Sequence, residues 1–241
     1  MAIFYPDSRA PLAALLLIVS SVTLAQDVPI LLDAATTDFD RSNQRLLFRE
    51  VSIKRGPLGI SADQADTSQL DFANSVWVFQ GSVKIFSDNA SVTAQRAEMK
   101  FVDHQLRQAT ITGAPALLTH SDQASVKVRA NKAVVTFGDD LLKNIKLSGA
   151  PAEFEHIADA DDAAITQGSA GQLIYDLQAN KIILANDAWV AQGENEIRGS
   201  EIAYDITAQR IVAGGEQNGD RVKITITPPP GDPVDEDDIV R

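Results

Sequence analysis

A short pattern recurs six times along this 241-residue chain, and it constrains the fold more than any single motif. A small residue is followed three positions on by an apolar residue or threonine, and then by another residue two further on. The clear copies are Ala62-Ala65-Thr67, Ala94-Ala97-Met99, Ala130-Ala133-Val135, Ala170-Leu173-Tyr175 and Gly199-Ile202-Tyr204, with a weaker one at Ala34-Thr37-Phe39. Their starts lie 28, 32, 36, 40 and 29 residues apart. Each clear copy leads through a polar stretch into a second apolar run, such as 106–111, 141–147, 181–184 and 210–212. Most second runs end in an apolar-x-Gly step at Gly81, Gly113, Gly149 and Gly214, and Asn186 takes that place in one copy.

The period within each copy is two, which is the period of a strand. Val126, Val128 and Ala130 alternate onto one face, and Ala133, Val135 and Phe137 do the same after a step of three. The same slip separates Ala94 from Ala97 and Gly199 from Ile202. A two-residue period that slips once per copy predicts a bulge or corner that bends the strand and re-aims its inner face. Glycine and asparagine both tolerate positive φ, so the copy glycines predict turns or bulges. Segments rich in Val, Ile, Thr and Tyr between polar turns predict an all-β sandwich, barrel or roll of about a dozen strands. The copy spacing grows from 28 to 40, which long hairpins with adjustable tips accept more easily than equal stacked coils. The longest polar insertion, 155–169, reads as one such loop.

Composition narrows the function. A net charge of −12 argues against nucleic acid or an anionic membrane surface as the main partner. Without cysteine there are no disulfides, thiolate metal sites, cysteine nucleophiles or cysteine-linked lipid. Residues 10–25 form an uncharged run too short to span a bilayer, preceded by Arg9 and closed by small residues. They predict a signal peptide, residues 1–25, cleaved between Ala25 and Gln26; an uncleaved anchor is the competing reading. Residues 228–241 are proline-rich and carry five acids and one arginine, so they read as a disordered tail. The domain expected between them is 26–227.

Sequence motifs for catalysis are absent: no GxSxG, Walker loop, GxGxxG or HExxH. The expectation is a protein that is not an enzyme and has no cofactor and no metal. His120 and His156 each follow a copy glycine by seven residues and read as solvated strand ends rather than metal ligands; His104 reads as part of a turn. Asp159, Asp161 and Asp162 lack the glycine and distal glutamate of a calcium loop. Glu153 is expected at an edge. Trp77, Trp189, Tyr175 and Tyr204 are expected to pack in the core.

The copies from Ile165 to Val190 and from Ile197 to Val212, the opening Ile60-Ser61-Ala62-Asp63-Gln64-Ala65-Asp66 and the later Phe79-Gln80-Gly81-Ser82-Val83 resemble the OstA-like family. The resemblance covers roughly residues 33–226, and the Tyr175–Asp176 and Tyr204–Asp205 pairs belong to it. It implies an open, twisted antiparallel β-jellyroll. It also implies a periplasmic, lipopolysaccharide-binding transport protein that joins end to end with itself and with inner-membrane LptC-like and outer-membrane LptD-like components. The family has no catalytic residues to carry over.

Exposing a twelve-carbon acyl chain to water costs ~10 kcal/mol at ~0.8 kcal/mol per CH₂, so a lipid crossing an aqueous compartment needs cover. An apolar trough open along one flank would supply it, with the charged sugars left outside. The parity predicts the lipid-binding inner face. On first strands it comprises Met99, Phe101, Val135, Phe137, Leu173, Tyr175, Ile202 and Tyr204. On second strands it comprises Ile111, Ile145, Leu147, Ile182 and Leu184, and after the glycine Ile85, Leu117 and Val190. The docking edges are expected near 34–53 and 210–226. Three rivals stand beside this reading: a membrane-anchored LptC-like component, a secreted structural β-roll without a ligand, and a polysaccharide-acting solenoid enzyme.

Overall fold

A computed structural model of the chain describes residues 29–70, 72–121, 125–138, 141–157, 165–176, 179, 181–205, 210–214 and 221–226. The signal peptide, its cleavage site at Ala25 and Gln26, the acidic tail and Asp159, Asp161 and Asp162 lie outside them. All the secondary structure described is β: β1 (Leu31–Asp33), β2 (Thr36–Asp40), β3 (Arg45–Arg55), β4 (Leu58–Thr67), β5 (Val76–Phe86), β6 (Ala90–Val102), β7 (Gln105–Ser121), β8 (Ser125–Gly138), β9 (Leu141–Ile157), β10 (Thr166–Asp176), β11 (Lys181–Gln192), β12 (Asn195–Asp205), β13 (Arg210–Gly214) and β14 (Lys223–Thr225). From β3 to β13 every strand pairs antiparallel with the next, and the path does not close on itself. This is the all-β chain that the repeats predict, in the open antiparallel form that the OstA-like resemblance implies. The expected 155–169 loop is shorter, because β9 runs to Ile157 and β10 starts at Thr166.

The slips in the repeat are bulges. Register shifts lie between Gln80 and Val83, between Thr112 and Ala116, and between Ala185 and Ala188. On one side of the bulges, a rung of side chains runs from strand to strand through Phe48, Ala65, Phe79, Ala97, Ile111, Ala133, Leu147, Leu173, Leu184 and Ile202. On the other side a matching rung runs through Ile53, Ile60, Ile85, Val92, Leu118, Val128, Phe154, Gly168, Val190 and Ile197. Each strand thus contributes to two half-sheets, and one buried cluster takes Val128 and Phe154 from one half with Leu147, Leu173 and Ile182 from the other. The half-sheets pack on each other, which is how an open sheet buries one face without closing into a barrel.

The copy glycines serve this bend in different ways. Gly81 has φ +72° and Asn186 φ +65°, the left-handed region anticipated for them. Gly113 and Gly149 do not lie in that region. They are small because the chain folds back on itself: a Cβ at Gly113 would sit 2.6 Å from the Ala116 amide nitrogen, and one at Gly149 would sit 2.6 Å from the Pro151 carbonyl oxygen.

Both ends of the sheet are split. β1 and β2 both pair with β3, and β13 and β14 both pair with β12. Large apolar side chains exposed on these four segments or next to them include Leu31, Phe39, Ile211, Val212 and Ile224. The edges fall where the sequence places them, in 34–53 and 210–226, with β1 just upstream.

Candidate functional site

The candidate site is the inner wall between the half-sheets. Fifteen of the sixteen predicted wall residues face it. Ile111, Leu147, Leu173, Leu184 and Ile202 share one rung across the sheet. Met99, Val135, Ile145, Tyr175, Ile182 and Tyr204 share the next. Phe101 and Phe137 follow on the outer side of that rung, half-buried, and Phe101 meets Phe72 edge to face with centroids 5.1 Å apart. Ile85 and Val190 stand on the facing half-sheet.

Leu117 is the exception. It pairs with the exposed Thr93 and Arg129 on the outer face, and Leu118 takes the inner position beside Val92 and Val128. The bulge explains the error. From Phe79 to Val83 the chain takes four steps between inner positions, but from Ile111 to Ala116 it takes five. The Gly-Ala-Pro-Ala sequence at 113–116 adds one residue and reverses the parity, and the same sequence at 149–152 moves the inner set of β9 to Ala152 and Phe154.

The wall is shut. Ile111, Ile145, Leu147, Leu173, Tyr175, Ile182, Leu184 and Ile202 are all buried, where a solvent-filled trough would leave them wet. The expected standing trough is therefore corrected to two apolar faces in contact. The polar residues also move. His120 and His156 are not solvated strand ends but are buried on the inner face, 2% and 6% exposed. His104 is in an exposed turn as expected, with φ +63°. Glu153 is not at an edge; it pairs with Arg129 and Ser169 in the interior of the sheet, exposed on its outer face. Of the four aromatics expected in the core, Trp77, Tyr175 and Tyr204 face inward. Trp189 lies on the outer face, where its indole N–H donates to Glu196 Oε2 at 3.0 Å and Arg198 covers its ring.

Glu196 ties the last edge together. Besides Trp189 of β11, it accepts from Arg198 of β12 and from the Thr225 hydroxyl of β14. The Arg198 hydrogen bonds, reinforced by the Trp189 N–H, hold its carboxyl down at about 2. Burial pushes the phenols of Tyr175 and Tyr204 up and the imidazole of His156 down. Beside this edge, Asp187, Trp189, Arg198, Ser200, Arg221 and Lys223 line a polar cleft of about 360 Å³. Among the described residues no three metal-binding side chains converge. Among the described residues no helix is long and apolar enough to cross a membrane.

His120 and His156 lie two residues beyond the inward Leu118 and Phe154, and the extra bulge residue that sets their parity leaves no sign in the apolar-x-Gly pattern.

Comparison with known proteins finds similarity over part of the chain. No curated protein sequence matches the chain. Among solved structures the chain is similar to LptH of Pseudomonas aeruginosa, described as the LptA-homologous periplasmic component of the lipopolysaccharide transport device. The two share 17% identity over 84% of this chain and 97% of that one, with a TM-score of 0.38. Residues 120–210 match the family described as LptA/(LptD N-terminal domain) LPS transport protein. The segment from the end of β7 to the start of β13 is thus similar to that family, as the repeats also suggest.

Proposed function

We propose that this chain is a periplasmic carrier of lipopolysaccharide that takes the lipid's acyl chains between its two half-sheets. The observation that carries the reading is the wall itself: two facing apolar surfaces in a sheet whose ends are not joined. Packed on each other, they keep their own side chains dry. Parted about the bulges, they offer each acyl chain the cover worth ~0.8 kcal/mol per CH₂. The loss of contact between the halves is offset by contact with the lipid, so loading exchanges one apolar interface for another. The acidic surface repels an anionic headgroup, which leaves the grip to the tails.

The test is mass spectrometry of lipids retained by the protein purified from its own envelope. Lipopolysaccharide is expected with the wild type. It is expected to be lost with Val135→Asp or Val190→Asp, half-buried wall positions where a charge is best tolerated by the fold. Undiminished lipid on folded variants overturns the assignment of the wall. The shut interior favours a second reading, a structural β-roll without a ligand, and protein that retains no lipid at all would establish it.

The split edges are the proposed joints for end-to-end assembly and for LptC-like and LptD-like partners. Each presents unpaired backbone beside exposed apolar side chains, with Leu31 64% and Ile224 59% exposed. Ile224→Pro is expected to reduce oligomer size in sedimentation while leaving the monomer folded; unaltered assembly would sink this part. Residues 1–25 as a cleaved signal and 26–227 as the mature domain complete the proposal. N-terminal sequencing decides between this and the anchored LptC-like alternative.

A further inference from the structure

One rung of the inner wall breaks the apolar pattern. On the half-sheet that carries Leu118, Val128, Phe154 and Val190, the last inner rung before the strand ends runs through His120, Val126, His156, Thr166 and Gln192. Its polar members carry no carboxylate, lysine or arginine. Two of them are in an unusual state. His120 and His156 are 2% and 6% exposed, and His120 Nδ1 and His156 Nε2 are buried with no hydrogen-bond partner. They flank Val126, two strands apart, so their Cα atoms lie about 10 Å from each other. Buried ring nitrogens normally find a partner, and leaving them without one costs stability. Strand ends readily accept hydrophobic or solvated residues, so neither the fold nor the packing requires imidazoles here.

We infer that this rung is a binding subsite for an uncharged hydrogen-bonding group, a hydroxyl, ester or amide, carried on an acyl chain that lies along the neighbouring apolar rungs. The inference rests on the carrier reading and names a feature of its ligand. A plain hydrocarbon chain would leave both ring nitrogens orphaned in the loaded state as well. A chain with a hydroxyl or carbonyl near its polar end satisfies them as it binds. Neutral imidazole offers one N–H and one lone pair, so the rung serves donors and acceptors alike. Burial holds His156 below its ordinary value and hence uncharged at neutral pH. With no fixed positive charge, the rung suits a neutral linkage better than a phosphate. The opposing half-sheet ends differently, on Phe101 and Phe137.

The test compares dodecanoic acid with 3-hydroxydodecanoic acid by calorimetry on the full chain. Both probes carry the same carboxylate, so the difference isolates the hydroxyl. The wild type is expected to bind the hydroxylated acid about fivefold tighter, the effect of roughly one net hydrogen bond. His120→Phe with His156→Phe is expected to abolish that preference and leave dodecanoic acid within twofold. The corresponding pair of glutamine substitutions is expected to retain it. A second measurement needs no variant: the imidazole NMR signals of the wild type should shift more with the hydroxylated acid than with the plain one. Equal affinity for both acids in the wild type, or a preference that survives in the phenylalanine variant, or identical imidazole shifts, overturns the inference while leaving the carrier intact. If neither acid binds, the carrier reading itself falls, and the subsite with it.

Discussion

The same repeat builds two different cores. Under β3–β7 the wall is aromatic: Trp77, 0% exposed, stacks on Phe72 at 4.7 Å, on Phe48 at 5.8 Å and on Phe79 at 6.1 Å. Under β8–β12 the cluster is chiefly aliphatic and alanine, with Leu147, Leu173, Ile182, Leu184 and Ile202 set against Val126, Val128 and a row of alanines at 130, 152, 170 and 188. Large flat rings interlock and leave few alternative packings, whereas branched aliphatics over small alanines form a smoother interface that tolerates repacking. The match to the transport family lies on residues 120–210, which hold most of the second core. The contrast sets an interlocked aromatic core in the first half against an aliphatic one in the second, where the carrier proposal would seat the lipid.

The largest expected effect strikes the aromatic core. Trp77→Ala should lower unfolding stability by ~3–5 kcal/mol, whereas Ile182→Val in the second core should cost only ~0.5–1.5 kcal/mol. Denaturant titration of both variants checks the pair, and equal losses would erase the contrast. The bends come next. Gly113→Ala should cost ~1–3 kcal/mol, because the added methyl collides with backbone rather than with a movable side chain. Gly214→Ala, with nothing within 4 Å of the added atom, should stay within ~0.5 kcal/mol. Thermal melts of the two would show whether the copy glycines are interchangeable, as the repeat suggests, or distinct, as the structure has it.

The smallest effect is a pH dependence confined to the second core. His156 is uncharged and buried, with its folded-state value pushed below 6.5 by desolvation. The unfolded chain therefore binds the extra proton first, and stability present above pH 6.5 is lost as pH falls through the lower folded value. Its immediate neighbours on the rung, Val126 and Thr166, do not titrate, and His120 lies two strands away. His156→Phe should flatten the fall in melting temperature between neutral and mildly acidic pH, and an unchanged slope would assign that fall to other groups.

Most of the wall could be read before any coordinates. Alternation places Val135, Ile145, Tyr175 and Ile182 on one face, and the three-step slip between Ala130 and Ala133 marks a bulge where one exists. What alternation could not count was the number of residues inside each bulge. Four steps at 79–83 and five at 111–116 look alike as apolar-x-Gly, yet they send Leu117 outward and bring His120 in. Trp189 was misplaced for a related reason: an aromatic in a strand packs inward by default, but its indole N–H is satisfied on the outer face by Glu196.

Local periodicity and turn chemistry suffice for the strands and their bends, because each depends on neighbours within one hairpin; the open antiparallel form comes from the family resemblance. Whether the two half-sheets stand apart or touch depends on side chains brought together from distant copies. Only the folded chain decides that Phe154 is buried in one cluster with Leu147 and Leu173 rather than left in solvent. It also decides that two histidines from separate copies end on the same buried rung.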